Sequence, residues 1–209
     1  MFYETDTNKH GLAHDPFKAI VSPRPIGWIG TVAQDGTYNL APYSFFNAIG
    51  DNPKLVMFSS NTRKDSVTNA EASGAFSASL ASRSLAEKMN LSSVNAPPDV
   101  SEFDFAGLEA APGRLIAAPY VRQAFAALEC KVVDIFTPKT LPGFKSGDIV
   151  VIGQVVGIHI DPQVVVDGRI DMAKAAPLAR LGYRDYSDGS QTFEMVRPLW
   201  KDPDSKAQG

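Results

Sequence analysis

The sequence predicts a mainly β protein, an antiparallel barrel with a few helices inserted between its strands. Its apolar runs are short and rich in β-branched and aromatic residues, which is typical of strands. Asp35 and Gly36 separate two such runs, and this dipeptide between apolar segments indicates a tight hairpin. The predicted helices do not alternate strictly with the strands, as a doubly wound parallel sheet would require.

The strands are predicted from short apolar or alternating runs. The last run is too apolar to lie open to water, and Gly153 and Gly157 within it suggest the bends by which barrel strands turn corners. In chain order, the predicted strands are Trp28–Ala33, Tyr38–Phe46, Lys54–Ser59, Ala75–Leu80, Ala127–Phe136 and Asp148–Ile160.

Helices are predicted over Thr62–Ser73 and Ser82–Leu91. Asn61 or Thr62 is the expected N-cap of the first, and Gly74 its C-terminal stop. The proline-containing segment Ser92–Gly113 is interpreted as a surface excursion, and the polar tail from Asp202 as frayed.

The bulk composition is that of an ordinary soluble globular protein. The 209 residues, 44% hydrophobic and 21% charged, fit one domain over 1–209. The formal net charge of −3 argues against a nucleic-acid partner. No signal peptide is expected in residues 1–15, and no apolar stretch reaches the roughly 18 residues of a membrane span. Cys130 is the only cysteine, so no internal disulfide can form, and a cytoplasmic location is expected.

The segment Ser59–Thr68 joins the end of a predicted strand to the start of a predicted helix. A helix start exposes unpaired amides and the positive end of the dipole, which together favour an anion. The segment adds hydroxyls and two cations and therefore suits a phosphate monoester, although a capped surface helix with solvated charges explains it as well. The polar side chains are Ser59, Ser60, Arg63, Lys64, Ser66 and Thr68.

A second candidate stretch is Asn39–Asn47. Pro42 cannot donate to a sheet ladder, so this strand must be interrupted or lie at an edge. Backbone groups left free there could bind a flat heterocycle, and Asn39, Ser44 and Asn47 could add side-chain hydrogen bonds. The alternative is an ordinary edge strand with aromatic packing.

The remaining sequence patterns give weaker indications of a functional site. His10 and His14 have the spacing of some metal-binding helices, but Gly11 and Pro16 oppose a helix there, so no metal site is predicted. No glycine-rich nucleotide motif and no nucleophile elbow is present. Arg24, between two prolines, is either a phosphate contact or a surface charge.

Five motifs occur together along the chain. They are Ser22–Thr31 with Asp35–Gly36, Asn39–Phe46, Arg63–Ser66 with Asn69, Gly153–His159, and Leu178–Gly182 with Asp185–Tyr186. In this order they resemble the motifs of the flavin reductase-like, FMN-binding split-barrel family, and most of all the branch that contains flavoredoxin. Three positions depart from the family pattern, with Ser66 in place of Thr, Gln154 of Glu and Tyr183 of Gly. The resemblance covers roughly residues 15–198, the expected core of the domain.

The resemblance implies an antiparallel split β-barrel that binds FMN, with its phosphate at Ser59–Thr68 and its ring against Ala41–Ser44. It also implies a homodimer with each flavin near the subunit interface. His159 is a candidate contact for the nicotinamide or the flavin ring, or else a plain strand-end histidine, and no catalytic residue is assigned. The expected cofactor-binding residues are Thr31, Asn39, Ala41, Pro42, Tyr43, Ser44, Asn47, Ser59, Ser60, Arg63, Lys64, Asp65, Ser66, Thr68, Arg180 and Tyr186.

The expected function is an FMN-binding oxidoreductase, an NAD(P)H-dependent flavin reductase that passes hydride from a nicotinamide to flavin. Its reduced flavin could serve a partner oxygenase or another electron acceptor. The alternatives are a flavoredoxin-like FMN electron carrier without a nicotinamide site, and a binding module that keeps the barrel but no flavin.

Overall fold

The computed structural model describes residues 1–97, 99–198 and 200. The polar tail from Asp202 lies outside the described residues. The α-helices are α1 (Phe17–Ile20), α2 (Asp65–Ser73), α3 (Ala86–Leu91), α4 (Glu102–Phe105) and α5 (Met172–Ala175), with 3-10 turns at Arg83–Leu85 and Pro162–Val164. Within the described residues, no helix has the length and apolar character needed to cross a bilayer.

β-strands are the main regular structure of the described chain. The strands are β1 (Arg24–Pro25), β2 (Gly27–Val32), β3 (Tyr38–Tyr43), β4 (Phe46–Asp51), β5 (Lys54–Ser60), β6 (Ala75–Leu80), β7 (Ala110–Ala111), β8 (Tyr120–Val121), β9 (Ala126–Phe136), β10 (Ile149–Ile160), β11 (Val165–Val166), β12 (Arg169–Ile170), β13 (Leu178–Arg180) and β14 (Tyr186–Asp188). The hairpin predicted at Asp35–Gly36 joins β2 to β3.

The main sheet has seven strands in the order β3-β2-β6-β9-β10-β5-β4, and neighbouring strands are antiparallel. β3 and β4 lie at opposite ends of this order, yet only Ser44 and Phe45 join them. Because so short a link spans no more than about 11 Å, the two ends of the sheet must meet. Ser59 N donates to Phe45 O at 2.8 Å, which continues the β4–β5 pairing into this link. The sheet is thus curled into a barrel, which confirms the predicted antiparallel split-barrel fold.

The prediction of one strand over Tyr38–Phe46 is wrong at its C-terminal end. β3 ends at Tyr43, and Phe46 begins a separate strand on the other side of the seam. Tyr43 and Phe46 are three residues apart yet pack in the same cluster inside the barrel, so the side-chain alternation is reset at the break. Further along, the register of β10 on β9 shifts beside Gly153 and Gly157, where bends were predicted.

The core is divided between the two faces of β2. Ile29 packs with Phe58, Phe76 and other residues inside the barrel. Trp28, pointing to the opposite face, packs with Leu40 and with side chains of α3 and α4. Successive strand residues face opposite sides, so β2 supplies one wall to each of the two clusters.

The helix predicted from Thr62 begins three residues later, and its predicted N-caps are wrong. Lys64 is the N-cap, with extended backbone and no side-chain capping bond. Ser60 Oγ donates to Thr62 O at 2.7 Å, and Lys64 N donates to the same oxygen at 3.0 Å. These turn contacts keep residues 61–64 out of the helix. The predicted stop is confirmed, since Gly74 is left-handed with φ of 67°.

The interpretation of Ser92–Gly113 as a surface excursion is also wrong. The segment contains α4, and Ser92, Phe103 and Leu108 are buried within it. Phe103 and Leu108 pack in the cluster of Trp28 and Leu40. The segment therefore covers the outer face of β2 and β3 and forms a wall of the site described next.

Candidate functional site

A groove runs along the outer edge of β3. It consists of two adjoining cavities that share Pro42 and Ser93, one of about 200 Å³ toward α2 and one of about 140 Å³ toward β13 and β14. We call it the β3 groove. Its lining residues include Asn39, Ala41, Pro42, Tyr43, Ser44, Lys64, Asp65, Ser66, residues 92–96, Glu102, Arg180 and Tyr186.

The α2 end of the groove offers donors suited to an anion. The amides of Val67 and Thr68 donate to Lys64 O at 3.0 and 3.1 Å, but those of Asp65 and Ser66 have no acceptor among the described residues. Lys64 is exposed, and no carboxylate in the described parts of the chain pairs with it. A free ammonium and free helix-start amides together favour an anion, while the carboxylates of Asp65 and Glu102 line the same cavity.

Tyr43 adds a buried donor to this end of the groove. The residue is 9% exposed, and within the described structure its hydroxyl has no hydrogen-bond partner of good geometry. Burial raises the pKa of the Tyr43 phenol, so the group stays protonated. The nearby hydroxyls of Ser60 and Ser66 give their protons to Thr62 O and Asn39 Oδ1. Each serine oxygen still has lone pairs that can accept, and hydrogen bonding with Ser66 and Ser60 partly opposes the rise in the Tyr43 pKa. The phenol therefore lies behind the groove surface, next to the start of α2.

A hydrogen-bonded network lies beneath the groove. Asn39 Oδ1 accepts from Ser66 Oγ at 2.9 Å and from Thr31 Oγ1 at 3.2 Å, while Asn39 Nδ2 donates to the carboxylate of Glu102. Burial raises the pKa of Glu102, although a hydrogen bond from the Leu40 amide opposes this. The side chains of Thr31 and Asn39 are thus engaged within the protein.

β3 is an edge strand, and its outer edge faces the groove. Backbone groups of alternate residues point to opposite edges, and Leu40 points outward because its amide donates to Glu102 Oε2 at 2.9 Å. Pro42, two residues on, also points outward but has no N–H. The outer edge between Leu40 and Ser44 therefore presents mainly carbonyl acceptors.

Arg180 and Tyr186 close the far end of the groove. The Arg180 guanidinium donates to the Tyr186 hydroxyl and lies over its ring at 4.5 Å from the centroid. Both residues come from the strand pair β13–β14. Ile26 and Met89 add apolar surface beside Pro42. This end combines an apolar floor with a cation and suits a flat ring.

Several expected residues lie outside the groove lining. Arg63 pairs with Glu71 Oε2 at 2.5 Å, and Thr68 is exposed on α2. Ser60 is buried and Ser59 precedes it in β5. Asn47 lines a different cavity, of about 520 Å³, beside Phe17 and Phe45.

The sequence reasoning missed one wall of the groove, residues 92–96 together with Glu102. These residues were assigned to the surface because of the prolines that follow. The available signal was the spacing of Phe103, Ala106 and Leu108, which buries one side of the segment.

His159 lies elsewhere on the chain. Its imidazole stacks on Tyr120 with ring centroids 4.2 Å apart, and its Nε2 is 2.5 Å from Glu129 Oε1. It lines a cavity of about 520 Å³ with Arg114 and Arg122 that has no lining residue in common with the β3 groove. Within a single chain, His159 is therefore separate from the proposed flavin position.

Arg24 is neither a surface charge nor an available phosphate contact. It is 7% exposed and donates to the carbonyls of Lys18, Val21 and Leu181, the last at 2.9 Å. The guanidinium ties the N-terminal segment to the chain after β13. As for metals, the described residues include no cluster of three His, Cys, Asp or Glu side chains that could hold an ion.

The chain has relatives over most of its length. An uncharacterised protein of Deinococcus radiodurans is 36% identical over 192 residues, which is 86% of this chain and 82% of that protein. One from Aquifex aeolicus is 33% identical over 173 residues, covering 80% of this chain and 85% of the relative.

Solved structures of similar fold include nitrilotriacetate monooxygenase component B from Bacillus cereus. It is 26% identical with a TM-score of 0.84, over 93% of this chain and 98% of that one. Flavoredoxin of Desulfovibrio vulgaris is 20% identical with a TM-score of 0.72, over 87% and 93% of the two chains, and its similarity shows the fold alone.

The family comparison agrees with the motifs in the sequence. Residues 21–175, most of the chain, match the model described as "Flavin reductase like domain". This span includes β2 to β10, the start of α2 and nearly all of the groove. The protein therefore belongs to the flavin reductase-like family.

Proposed function

We propose that this protein binds FMN in the β3 groove and acts as an NAD(P)H-dependent flavin reductase. Membership of the flavin reductase-like family supports a flavin-related oxidoreductase. The single observation that carries the proposal is the continuity of the groove. It joins the donor-rich start of α2 to the outer edge of β3 at Pro42 and ends at Arg180.

The residues present fit FMN at both ends. Lys64 and the free amides of Asp65 and Ser66 would hold the phosphate. The outward carbonyls of Leu40 and Pro42 would accept from a ring N–H, and Ser44 lies next in line as a donor. When bound, FMN supplies a ring that accepts hydride and passes electrons on.

The chain's own part in catalysis is then to bind, orient and shield. Arg180 and Tyr186 close the ring end against solvent, and Ile26 and Met89 supply apolar surface beneath. Hydride transfer between two rings needs alignment and little proton chemistry, so no general base is required of the groove.

The second candidate is a flavoredoxin-like FMN electron carrier without a nicotinamide site. The narrow ring end favours it. That cavity is about 140 Å³, below the roughly 300 Å³ at which small-molecule pockets begin, so a single chain leaves little room for a nicotinamide stacked on the flavin. A homodimer could complete the site, and His159 then remains a candidate for a nicotinamide contact.

We also propose that residues 1–209 form one domain and that the protein is a cytoplasmic homodimer. An oxygenase or another electron acceptor would be its partner. The name of the Bacillus cereus neighbour, a monooxygenase component, supports the oxygenase partner. Sedimentation of the full chain tests the dimer.

Two measurements test the flavin proposal. The purified protein should show flavin absorption bands and release FMN on denaturation, and a protein with no affinity for FMN would be a barrel without flavin chemistry. Anaerobic stopped-flow mixing with NADH and with NADPH should then bleach the bound flavin. If neither nucleotide reduces it while a chemical reductant does, the electron-carrier function replaces the reductase.

A further inference from the structure

Glu102 is a buried carboxylate at the first position of α4, beside the β3 groove. It is 5% exposed. Its Oε2 accepts from Leu40 N at 2.9 Å, and its two oxygens lie 3.2 and 3.1 Å from Asn39 Nδ2. Among the described residues, the hydrogen bonds that this carboxylate accepts from other residues all come from β3, the strand that forms the floor of the groove.

The carboxylate dictates the orientation of the Asn39 side chain. An ionised carboxylate only accepts hydrogen bonds, so Asn39 must turn its nitrogen toward Glu102 and its oxygen the opposite way. On that side Ser66 Oγ is 2.9 Å and Thr31 Oγ1 is 3.2 Å from Asn39 Oδ1. Thr31 Oγ1 in turn accepts from Asn69 Nδ2 at 3.3 Å.

The consequence concerns Ser66, in the first turn of α2. Its hydroxyl has one proton, and that proton is directed to Asn39. Ser66 Oγ therefore has no proton to offer a phosphate, but it holds the first turn of α2 against β3. A phosphate at this place must rely on Lys64 and on the amides of Asp65 and Ser66.

We propose that Glu102 is a positioning residue of the flavin site, which acts through Asn39 and Ser66 to fix the start of α2 where a phosphate ester binds. The inference rests on the proposed function for its ligand. Glu102 touches no reacting atom, and its effect is selectivity for FMN over riboflavin, which differs from FMN only by the phosphate.

The network predicts that Glu102→Gln and Asn39→Asp, combined in one double variant, restore the hydrogen bonds that each single variant disturbs. In Glu102→Gln one carboxylate oxygen becomes an amide nitrogen, placed where Oε1 now lies 3.2 Å from Asn39 Nδ2. The side chain then no longer excludes the turned orientation of the Asn39 amide, in which Ser66 loses its acceptor. Asn39→Asp alone places a second carboxylate against the first. In the double variant the introduced amide donates to the new carboxylate, which can still accept from Ser66 and Thr31, while Leu40 N keeps an acceptor.

The test measures the dissociation constants of FMN and riboflavin for the full chain by flavin fluorescence. Each single variant should reduce the FMN-to-riboflavin affinity ratio about tenfold, the scale of one charge-assisted hydrogen bond, and the double variant should return it to within about threefold. Asp104→Asn is the matched control, since Asp104 is an exposed carboxylate on the same helix. Its ratio should equal that of the wild type.

A ratio that is unchanged in the single variants, or not restored in the double variant, overturns the proposal. Where a single variant does not fold, Ser66→Ala decides, because it removes the same link. A reduced ratio in Ser66→Ala supports the proposal and an unchanged ratio refutes it.

Amide NMR signals of the flavin-free protein separate this inference from the proposed function. Those of Asp65 and Ser66 should shift in each single variant and return in the double variant. If the wild type binds neither flavin, the flavin function and the selectivity role both fail. The amide signals then report whether Glu102 still sets the start of α2.

Discussion

Glu129 Oε1 lies 2.5 Å from His159 Nε2, so a carboxylate on β9 holds the imidazole near the end of β10. The same carboxylate accepts from the amides of Arg114 at 2.8 Å and Leu115 at 2.6 Å. Burial alone would raise the pKa of Glu129, but the hydrogen bonds from Arg114, His159 and Leu115 outweigh it and hold the pKa below its usual range. Glu129 thus ties three segments together.

Glu129→Gln should make the protein less stable at neutral pH and less sensitive to acid. Because the folded-state pKa is lowered, ionised Glu129 stabilises the fold above the unfolded pKa, and this contribution is lost as the pH falls through the folded pKa. The free energy of unfolding should drop by about 1–3 kcal/mol at neutral pH. Its decline below the ordinary glutamate pKa of about 4.3 should become shallower.

Urea denaturation over a pH series measures both effects. Glu109→Gln is the control, since Glu109 is exposed and pairs with exposed Arg122. Its loss should stay below about 1 kcal/mol. Equal losses in the two variants would mean that the Glu129 contacts contribute little.

Lys64→Ala should weaken FMN and leave riboflavin nearly unchanged. Only FMN carries the phosphate, and loss of a charge-assisted hydrogen bond should reduce its affinity at least about tenfold. Arg63→Ala is the matched control, because Arg63 is directed to Glu71. Isothermal titration of each variant with FMN and with riboflavin measures the two affinities. If Lys64→Ala weakens both flavins equally, the phosphate binds elsewhere.

Gly153→Ala should destabilise the barrel. A Cβ at this position would lie 2.5 Å from Phe76 Cε1 and 2.9 Å from Cys130 Cβ. Neither Phe76 nor Cys130 can move freely, since both are 0% exposed. Overpacking of this kind costs about 1–3 kcal/mol. Gly147→Ala is the control, because the atom nearest to its Cβ would be Asn61 O at 3.6 Å. This variant should leave the thermal midpoint of unfolding almost unchanged. A similar drop of the midpoint in both variants would refute the steric explanation.

Ser92→Ala should loosen the outer wall of the β3 groove. Trp28 Nε1 donates to Ser92 Oγ at 2.8 Å, and Ser92 Oγ donates to Met89 O at 2.8 Å. Without the hydroxyl the buried indole N–H loses its acceptor, at a cost of about 1–3 kcal/mol. Ser93→Ala, at an exposed serine, should change stability by less than about 0.5 kcal/mol. Calorimetric unfolding measures the stability of both variants. If Ser92→Ala is as stable as the wild type, Ser92 does not anchor the wall of the groove.

The sequence predicted the β content, the hairpin at Asp35–Gly36 and the glycine-marked bends because these depend on local chemistry. Asp-Gly turns and runs of β-branched residues act within a few positions of themselves. The seam at Ser44 and Phe45 could not be predicted in the same way. Its cause is closure of the sheet by strands far apart in the sequence, and no pattern within a few residues of Ser44 reports that closure.

The groove was partly predictable for a similar reason. Lys64, Pro42 and Ser44 belong to contiguous motifs and line the groove as a set. Glu102 lies 63 residues after Asn39. The spacing of Phe103, Ala106 and Leu108 indicates a buried side of the segment, but it does not indicate that the charge of Glu102 is buried too. The inward direction of the Ser66 hydroxyl depends on that distant carboxylate, so the sequence around Ser66 could not predict it either.

The two-residue link between β3 and β4 couples ligand occupancy to the behaviour of the whole molecule. β3 is both a strand of the barrel and the floor of the groove. The barrel therefore cannot open at this seam while a ligand is still bound to β3. Occupancy should therefore suppress openings everywhere in the sheet by mass action. Amides of β9, the central strand of the sheet order and three strands from β3, should exchange with deuterium more slowly once FMN is present.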